Sequence, residues 1–317
     1  MSPTNPTPTT TPTAPTTASA TPTTAITRVG VVTKPDLGDC ADVLDKLATW
    51  LESRGLTVLF DEQSAALAGP HHTPTQMPAD RLVAAVDLIV LLGGDGTLLL
   101  TADRVAMAGA QTPILGVNFG SLGFLTEVRL QELYDILELV LAGSARIDER
   151  AMLHVEILNA EAQIVQDVCV LNDVVITRGA LSRMTDLSVS VNDQFVARFK
   201  ADGLIVATAT GSTAYNLSAG GPIVHPGVDA LVLTPIAPHT LTNRPVVIPI
   251  NSRLVIHPLQ NADHQDVFVT FDGQIGHPLP PDHEVRVTRA TQSLRLVRPT
   301  ARSYYEVLRE KLKWAER

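Results

Sequence analysis

The stretch VDLIVLLGGDGTLLL, residues 86–100, decides the fold of this chain. It begins as an apolar run that ends at Leu92, continues as the glycine-rich turn 93–96, and becomes leucine-rich from Thr97. A short apolar run followed at once by a turn and a helical segment is typical of a buried strand in a βαβ unit. The turn then lies at the carboxyl end of a parallel sheet, where open α/β sheets bind their ligands.

Strands and helices alternate over the first half of the chain. Residues 39–53 carry apolar side chains at the 3.6-residue period of a helix, and residues 131–142 repeat that pattern. We therefore expect an α/β domain with a Rossmann-like parallel sheet over residues 28–143. Its other strands are predicted by β-rich runs at 28–33, 57–60 and 113–118.

After Gly143 the apolar period changes from that of a helix to two residues, which is typical of strands with one buried face. Alternating runs occupy residues 152–158 and 186–191, and Asn192-Asp193 predicts a hairpin turn after the second run. Residues 144–300 are therefore predicted to form a mostly antiparallel β-sandwich domain. Residues 301–317 return to a helical pattern.

Residues 1–27 consist almost entirely of Thr, Pro, Ala and Ser and contain no Lys, Arg, Asp or Glu. Such a segment buries too little apolar area to offset the entropy of ordering it, so we predict a disordered tail. A phosphorylated regulatory arm is the alternative interpretation of its many hydroxyl groups.

The composition argues against several classes of partner. The net charge is −9 and no basic block occurs, which disfavours nucleic acid or an anionic membrane surface. Cys40 and Cys169 are far apart in sequence and give neither a disulfide framework nor a metal-ligand spacing. No apolar run approaches the ~20 residues that span a bilayer. We expect a soluble, cytoplasmic protein with no metal site of its own.

Asp95 is the residue of the glycine turn that carries chemistry. Glycines let backbone N–H groups approach an anion, and the start of the following helix favours phosphate. A carboxylate in that place repels phosphate, so Asp95 is expected to meet a hydroxyl group, as a base or as an anchor. The alternative is structural, with Asp95 capping the helix. Neither a GxxxxGK[ST] nor a GxGxxG motif occurs.

Two further stretches are dense in glycine and hydroxyl side chains. NFGSLGFL, residues 118–125, follows a predicted strand, and DGLIVATATGSTAYNLSAGGP spans residues 202–222. The second stretch offers many small hydrogen-bonding groups and little material for a core, so we predict a binding loop there.

Together these stretches resemble the NAD kinase family. The resemblance covers nearly everything from Arg28 onward, and the TGSTAYNLSAGGP segment is its most specific part. Close variants of GGDGT also occur in diacylglycerol-type lipid kinases and in phosphofructokinases. The signatures are GGDGT (93–97), NFGSLGFL (118–125), LNDVVITRG (171–179), DGLIVATATGSTAYNLSAGGP (202–222), PHTLTNRP (238–245) and DGQ (272–274).

The resemblance implies ATP-dependent phosphorylation of the 2′-hydroxyl of the adenosine ribose of NAD, giving NADP and ADP. It implies that Asp95 accepts the proton of that hydroxyl, a role in which a positioned base contributes ~10²–10⁴-fold in rate. It also implies that Mg²⁺ or another divalent cation is carried with ATP and that the protein is a homodimer or homotetramer.

Position by position, the resemblance implies two sets of contacts. Leu100 departs from the family, many of whose members have a basic residue there, and Arg183 and Lys200 are open to the alternative of solvated surface charges. The implied phosphate loop is Gly93, Gly94, Gly96 and Thr97. The implied NAD contacts are Asp95, Gly96, Asn172, Asp173, Arg183, Lys200, Asp202, Thr213, Ala214, Tyr215, Asn216, Leu217, Ser218 and Gln274.

Two other functions stay open at this point. One is an NAD(P) sensor that kept the pocket without turnover, and the presence of Asp95 argues against it. The other is a lipid kinase, which predicts an apolar acceptor cleft or a basic membrane face, and the sequence gives no sign of either. Formation of NADP from NAD and Mg-ATP distinguishes the three.

Overall fold

A computed structural model of the chain describes residues 25–35, 38, 40–68, 75–120, 123–179, 185–240, 242–259, 267–299 and 302–314. Only the last three residues of the predicted tail, 1–27, fall within these ranges, so the prediction of disorder lies outside the described residues. Arg183 lies outside them as well.

The strand before the glycine turn lies in the middle of the first sheet. This strand, β4 (Leu88–Leu92), pairs in parallel with β1 (Arg28–Thr33) on one side and with β5 (Ile114–Asn118) on the other. All five of its residues are buried, as expected for a parallel strand covered on both faces. The other parallel strands of this region are β2 (Thr57–Asp61), β3 (Thr75–Met77) and β6 (Val128–Arg129).

Two layers of helices cover this sheet. Alternate residues of β4 face opposite layers: Leu88 and Leu92 pack with the first and fifth helices, and Ile89 packs with the third and fourth. The apolar spacing of each helix decides which of its faces is buried. The helices are α1 (Ala41–Glu52), α2 (Glu62–Leu67), α3 (Ala79–Ala85), α4 (Asp95–Met107) and α5 (Leu133–Leu141).

Two strands from later in the chain complete the first sheet. β20 (Leu294–Arg298) pairs in parallel with β5 and antiparallel with β7 (Arg146–Arg150). Both strands fall within residues 144–300, so the sheets do not divide at residue 143, and the domain boundaries stay a prediction. An alternating pattern shows that a strand has a buried face, but it does not show which sheet the strand joins.

The β-sandwich consists of two six-stranded antiparallel sheets. Its strands are β8 (Leu153–Leu158), β9 (Ile164–Val170), β10 (Asp173–Arg178), β11 (Thr185–Val191), β12 (Gln194–Ala201), β13 (Gly203–Thr208), β14 (Ala230–Ile236), β15 (Val246–Pro249), β16 (Leu254–Pro258), β17 (Val267–Phe271), β18 (Ile275–Pro278) and β19 (Glu284–Arg289). The orders are β15-β14-β13-β10-β17-β18 and β12-β11-β16-β19-β8-β9. Alternate residues of both sheets, such as Val189 and Val206, share one apolar core.

The connections of the sandwich agree with its turn residues. Asn192 and Asp193 join β11 to β12 with φ values of 49° and 64°, and a type I′ hairpin needs positive φ at both positions. The single helical turn α6 (Tyr215–Ser218) follows β13. The predicted fold class, a parallel α/β domain followed by an antiparallel β domain, is confirmed.

Helix α7 (Tyr304–Leu312) follows β20 and begins with a capping box. The Ser303 hydroxyl accepts the Glu306 N–H at 3.3 Å, and the Glu306 carboxylate accepts the Ser303 N–H at 2.6 Å. Just before it, Arg302 donates to the carbonyl oxygen of Glu127 at 2.8 Å. None of the described helices is long and apolar enough to cross a membrane.

Candidate active site

The glycine turn 93–96 joins β4 to α4 at the carboxyl edge of the first sheet. A Cβ atom on Gly93 would lie 2.9 Å from Oγ1 of Thr97, so a larger residue does not fit there. The N–H of Gly93 donates to the carbonyl of Val117 at 2.9 Å, which ties the turn to the end of β5. The first N–H groups of α4 have no intrahelical partner, so this edge suits an anion.

Asp95 is the first residue of α4, but its carboxylate binds a different loop. Its Oδ2 accepts the N–H of Phe124 at 2.9 Å, and its Oδ1 accepts the N–H of Leu125 at 3.2 Å. Oδ1 also accepts the N–H and the hydroxyl of Thr126, at 3.0 and 2.9 Å. The N-cap of α4 is Gly94, and the four hydrogen bonds of the Asp95 carboxylate all go to residues 124–126. The alternative in which Asp95 caps α4 is therefore wrong.

The four donors are divided unequally between the two oxygens of Asp95. Among the described residues, Oδ1 receives three of them and Oδ2 receives one. A carboxylate offers about four acceptor positions, two on each oxygen. Oδ2 therefore keeps room for one further donor, such as a hydroxyl group.

The NFGSLGFL stretch builds the loop that holds Asp95. The hydroxyl of Thr126 accepts from Nδ2 of Asn118 at 3.1 Å, and Oδ1 of Asn118 accepts the N–H of Gly120 at 2.6 Å. A Cβ atom on Gly123 would lie 2.0 Å from Oδ1 of Asp95. Glycine at position 123 thus allows the close approach of the loop to the carboxylate.

A second carboxylate organises the loop at the start of β10. Asp272 Oδ1 accepts the N–H groups of Asn172 and Asp173 at 2.7 and 2.9 Å, and its Oδ2 accepts that of Leu171 at 2.8 Å. Asp272 and Gly273, both with positive φ, form the tight turn between β17 and β18. The DGQ signature therefore shapes the loop that carries the predicted contacts Asn172 and Asp173.

Burial raises the pKa of both acids at this loop. Burial raises the pKa of Asp173 to about 7, and the neighbouring charge of Asp272 adds to the rise. Burial also raises the pKa of Asp272 to about 6, although its three backbone N–H donors act in the opposite direction. Among the described residues, the Asp173 carboxylate has no hydrogen-bond partner. Its oxygens are available to a ligand.

The start of the 202–222 stretch packs against the same loop. The hydroxyl of Thr208 donates to the carbonyl of Leu171 at 2.6 Å, and its N–H donates to the carbonyl of Asn172 at 2.9 Å. A Cβ atom on Gly211 would lie 2.0 Å from that same Asn172 oxygen. Glycine is needed at position 211 because the two backbones approach so closely.

Side chains of residues 213–218 differ in how far they are open to a ligand. Asn216 is fully buried: its Nδ2 donates to the carbonyls of Ser212 and Pro222 at 3.0 Å, and its Oδ1 accepts from Thr234 at 2.6 Å. It therefore holds the loop together from inside. Tyr215 is 46% exposed and offers a ring for stacking. Ser218 is exposed, and Thr213, Ala214 and Leu217 are partly buried.

A cleft of about 430 Å³ adjoins the glycine turn, which is within the size range of small-molecule sites. Gly94, Gly96 and Thr97 line it from the first domain, and Gln274 lines it from the second. Nε2 of Gln274 lies 3.5 Å from the point where a Cβ of Gly96 would stand. The cleft is therefore formed by the two domains together.

Two cationic side chains and Leu100 also line this cleft. Lys34 follows β1, and Arg104 lies one helical turn after Leu100 on α4. Arg104 pairs with the exposed Asp80 at 3.2 Å. The cleft thus combines a helix N-terminus with two positive charges and the carboxyl group of Asp61. No group of three or more His, Cys, Asp or Glu side chains is placed to hold a metal ion in the described part of the chain.

Lys200 and Asp202 do not lie with the other predicted contacts. Asp173 pairs with Ala207 near one end of β13, whereas Asp202 precedes the other end. Six residues of strand separate the two ends, a distance of about 17 Å at the usual rise per residue. Asp202 binds Nε of Arg178 at 2.9 Å, and Lys200 is exposed on β12.

Sequence reasoning missed several residues that shape this site. Thr126 binds the carboxylate of Asp95, and the carboxylate of Asp272 binds the loop 171–173. Lys34 and Arg104 supply positive charge. The Asp-Gly pair after β17 predicts a turn, but nothing local predicts that Asp272 binds a loop about a hundred residues away. The position of Lys34 near the site could have been predicted, because Lys34 follows a strand that is predicted to end at the same sheet edge as the glycine turn.

Both halves of the chain match known proteins. Residues 29–145 match the family model of the ATP-NAD kinase N-terminal domain, and residues 171–299 match that of the C-terminal domain. The NAD kinase of Geotalea daltonii is 45% identical over 290 residues, which cover 92% of this chain and 99% of the relative. That of Geobacter sulfurreducens is 46% identical over 294 residues, with the same coverage of both chains.

Two solved structures share the fold over both domains. Yeast NADH kinase complexed with NADH superposes with a TM-score of 0.83 at 25% identity, covering 92% of this chain and 89% of its own. An NAD kinase from Archaeoglobus fulgidus in complex with ATP superposes with a TM-score of 0.69 at 25% identity, covering 90% and 98%.

Proposed function

Because this chain belongs to the ATP-NAD kinase family, we propose how its own residues carry out that family's reaction. The γ-phosphoryl group of ATP is transferred to the 2′-hydroxyl of the adenosine ribose of NAD. A bond forms between the ribose oxygen and the γ-phosphorus, and the bond from that phosphorus to the β–γ bridging oxygen breaks. The hydroxyl proton leaves with the base, and the products are NADP and ADP.

The observation that carries this proposal is the position of Asp95. Its carboxylate is held by four donors, yet Oδ2 keeps one acceptor position, and its neighbours Gly94 and Gly96 line the cleft. We assign to Oδ2 the proton of the 2′-hydroxyl. Because the carboxylate is fixed before substrate arrives, little reorganisation is needed when the proton moves.

We propose that NAD lies along the loops at the start of β10 and after β13. The unpaired oxygens of Asp173, together with the side chain of Asn172, receive ribose hydroxyl groups. Tyr215 stacks on the adenine, and Gln274 and Gly96 border the same space. Thr213, Ala214, Leu217 and Ser218 complete the wall, whereas the buried Asn216 supports the loop and makes no direct contact in this proposal.

The phosphates of ATP are proposed to lie at the N-terminus of α4. Gly93, Gly94, Gly96 and Thr97 provide a backbone edge there, and Lys34 and Arg104 neutralise charge that Leu100 cannot. Mg²⁺ enters as the Mg-ATP substrate, since this ion keeps several of its waters and rides on nucleotide phosphates. Alignment and charge neutralisation then supply most of the acceleration.

A homodimer or homotetramer is the proposed assembly. Apolar side chains stand exposed on strands of the second domain, among them Phe195 at 67% and Val247 at 51%. Lys200 and Asp202 are too far from Asp173 to share one ligand end within a chain, so we propose that they act at the site of a second copy. A cytoplasmic location is proposed on the sequence argument above, and both cysteines are buried free thiols.

The proposal is tested by incubating the protein with NAD and Mg-ATP and measuring NADP by chromatography. Phosphorus NMR then locates the new phosphate on the 2′-oxygen. Asp95→Asn should lower kcat by several orders of magnitude, and Asp135→Asn, an exposed acid on α5, serves as the matched control. An active Asp95 variant would reduce that residue to an anchor. A parent protein that binds NADP but makes none would instead be a sensor.

A further inference from the structure

Four charged side chains lie together beneath the junction of the two domains. Glu127, Arg150 and Arg298 are at most 7% exposed, and Asp148 is 29% exposed. An Arg298 nitrogen lies 2.7 Å from a Glu127 oxygen and 3.5 Å from Asp148. Nε and Nη2 of Arg150 hold the same Asp148 oxygen at 3.1 and 2.9 Å. We call these four residues the junction cluster.

Burying charged side chains costs free energy of folding, so the presence of this cluster needs an explanation. Taking ions out of water costs several kcal/mol each, and apolar residues of similar size are often as stable. Burial raises the pKa of Glu127 to about 7, while Arg298 acts in the opposite direction. Glu127 Oε2 has no hydrogen-bond partner among the described residues. A cluster that is incompletely satisfied is a poor source of stability, which favours a role in fixing geometry.

Each end of the junction cluster adjoins one half of the active site. Glu127 directly follows Thr126, whose N–H and hydroxyl both hold Asp95. At the other end, Nη1 of Arg150 donates to Oγ1 of Thr210 at 3.3 Å. Thr210 directly precedes Gly211, which packs against the backbone of Asn172.

The Arg150–Thr210 hydrogen bond therefore crosses between domains. Arg150 belongs to β7 of the first sheet, and Thr210 belongs to the loop after β13 of the second domain. We propose that Arg150 is a positioning residue, which through Thr210 fixes the NAD-binding loop at the correct distance from Asp95. The junction cluster holds Arg150 itself, through Asp148, in register with the loop that anchors Asp95. This inference rests on the function proposed above.

The junction does not depend on this contact alone, so the test can be made on folded protein. Arg302 binds the carbonyl of Glu127 at 2.8 Å. Two residues further on, the Tyr304 ring meets His225 of the second domain edge-on, with ring centres 4.8 Å apart. Helix α7 therefore joins the two domains independently of Arg150.

The decisive comparison is Thr210→Val against Thr210→Ser. Valine keeps the shape but removes the acceptor, and serine keeps the acceptor. Thr210→Val should lower kcat/KM for NAD about tenfold, as expected for a small misplacement of the reacting group. Thr210→Ser should stay within twofold of the parent, and KM for ATP should change less than twofold in both.

A double-mutant cycle then assigns the effect to the pair. Arg150→Met should lower kcat/KM for NAD at least as much as Thr210→Val, and the double variant should be no worse than Arg150→Met. Arg146→Met, the same change at an exposed position of β7, should match the parent. Circular dichroism establishes that each variant is folded.

Three results would overturn the inference. These are equal activity of the valine and serine variants, effects that multiply in the double variant, and a loss confined to thermal stability with kinetics unchanged. If the parent makes no NADP, the proposed function fails, but calorimetric titration with NAD still decides the positioning role. In that case Thr210→Val must bind NAD more weakly than Thr210→Ser.

Discussion

Asp95 and Asp272 have the same structural role in two different parts of the molecule. Each precedes a glycine, and each gathers the backbone N–H groups of three consecutive residues, 124–126 and 171–173 respectively. In both cases the anchored segment lies far away in sequence. A single carboxylate therefore replaces the regular backbone pairing that an irregular loop cannot provide for itself.

The surroundings of the two carboxylates differ, in keeping with the reactive role proposed for Asp95 and the structural role of Asp272. Asp95 begins helix α4, where the aligned peptide dipoles favour a negative charge. Asp272 instead lies beside a second acid, Asp173. Burial raises the pKa of Asp173 to about 7, and the charge of Asp272 adds to the rise. Both carboxylates hold a loop, but in the proposed function only Asp95 also accepts a proton.

The largest effect is expected from a change in the loop that displaces Asp95 without substituting it. Gly123→Ala places a Cβ atom 2.0 Å from Oδ1 of Asp95, so the carboxylate must leave its donors. We expect kcat to fall on the order of 100-fold or more, with a smaller effect on stability. Steady-state kinetics and thermal unfolding measure the two effects.

Gly276→Ala is the control for that experiment. Its added Cβ would lie 3.7 Å from the nearest atom, an ordinary contact. Full activity of the Gly123 variant would show that the position of Asp95 matters less than its presence.

Removing the other anchor should affect stability more than chemistry. Asp272→Ala leaves three backbone N–H groups without their acceptor, and each buried unsatisfied group costs about 1–3 kcal/mol. We expect the free energy of unfolding to fall by about 3–5 kcal/mol, measured by urea titration. We expect Asp95→Ala to cost less stability than Asp272→Ala, because Asp272 is buried deeply enough for burial to raise its pKa.

Asp282→Ala, at an exposed acid, provides the reference for these titrations and should unfold at the urea concentration of the parent. If Asp95→Ala proves the more destabilising of the two, the division into anchor and reactive group is wrong.

The pair Asp173 and Asp272 gives a prediction about pH. The pKa of Asp173 is about 7 in the folded protein, against an ordinary value of 3.8. The folded state therefore holds a proton that the unfolded chain has released, and stability falls as pH rises from about 4 to 7. Asp173→Asn should match the parent near pH 4 and exceed its free energy of unfolding by on the order of 2–4 kcal/mol at pH 8.

The same variant should bind NAD more weakly, because an amide is a poorer acceptor for ribose hydroxyls. Asp135→Asn should show the pH dependence of the parent. If the difference in stability between Asp173→Asn and the parent is the same at pH 4 and pH 8, the raised pKa of Asp173 is wrong.

The smallest effect is expected at Gln274, which follows the Asp272 turn and lies across the cleft from Gly96, next to Asp95. Gln274→Ala should raise KM for NAD by about two- to fivefold, the effect of one neutral hydrogen bond, and leave kcat within twofold. Gln194→Ala, at an exposed position on β12, is the matched control. A loss in kcat alone would mean that Gln274 orients the reacting groups.

Features set by neighbouring residues could be predicted from the sequence. The run before Gly93 predicted β4, the spacing of Leu44, Leu47 and Leu51 predicted α1, and Asn192-Asp193 predicted its hairpin. Each of these signals lies within one turn or one strand, where period and turn chemistry act directly.

Features set by distant partners could not be predicted in this way. The sequence placed Asp95 correctly at the sheet edge, but its partners lie about thirty residues further along. The junction cluster draws its members from three separate strands or loops, and no spacing in the sequence records their meeting. Likewise, the apolar residues of β20 indicate a buried strand, but nothing in their spacing shows that this strand belongs to the first sheet.

The position of β20 has a consequence for how the protein is made. This strand lies between β5 and β7 in the first sheet, yet in sequence it follows β8 to β19, the strands of the β-sandwich. During synthesis, the sheet that carries Asp95 therefore remains incomplete until β20 has left the ribosome, after the strands of the β-sandwich. Domains usually fold in order from the N-terminus, but here the first domain must wait for the second. A chain cut short before β20 would leave β5 and β7 without the strand that joins them, so the sheet that carries Asp95 could not be completed.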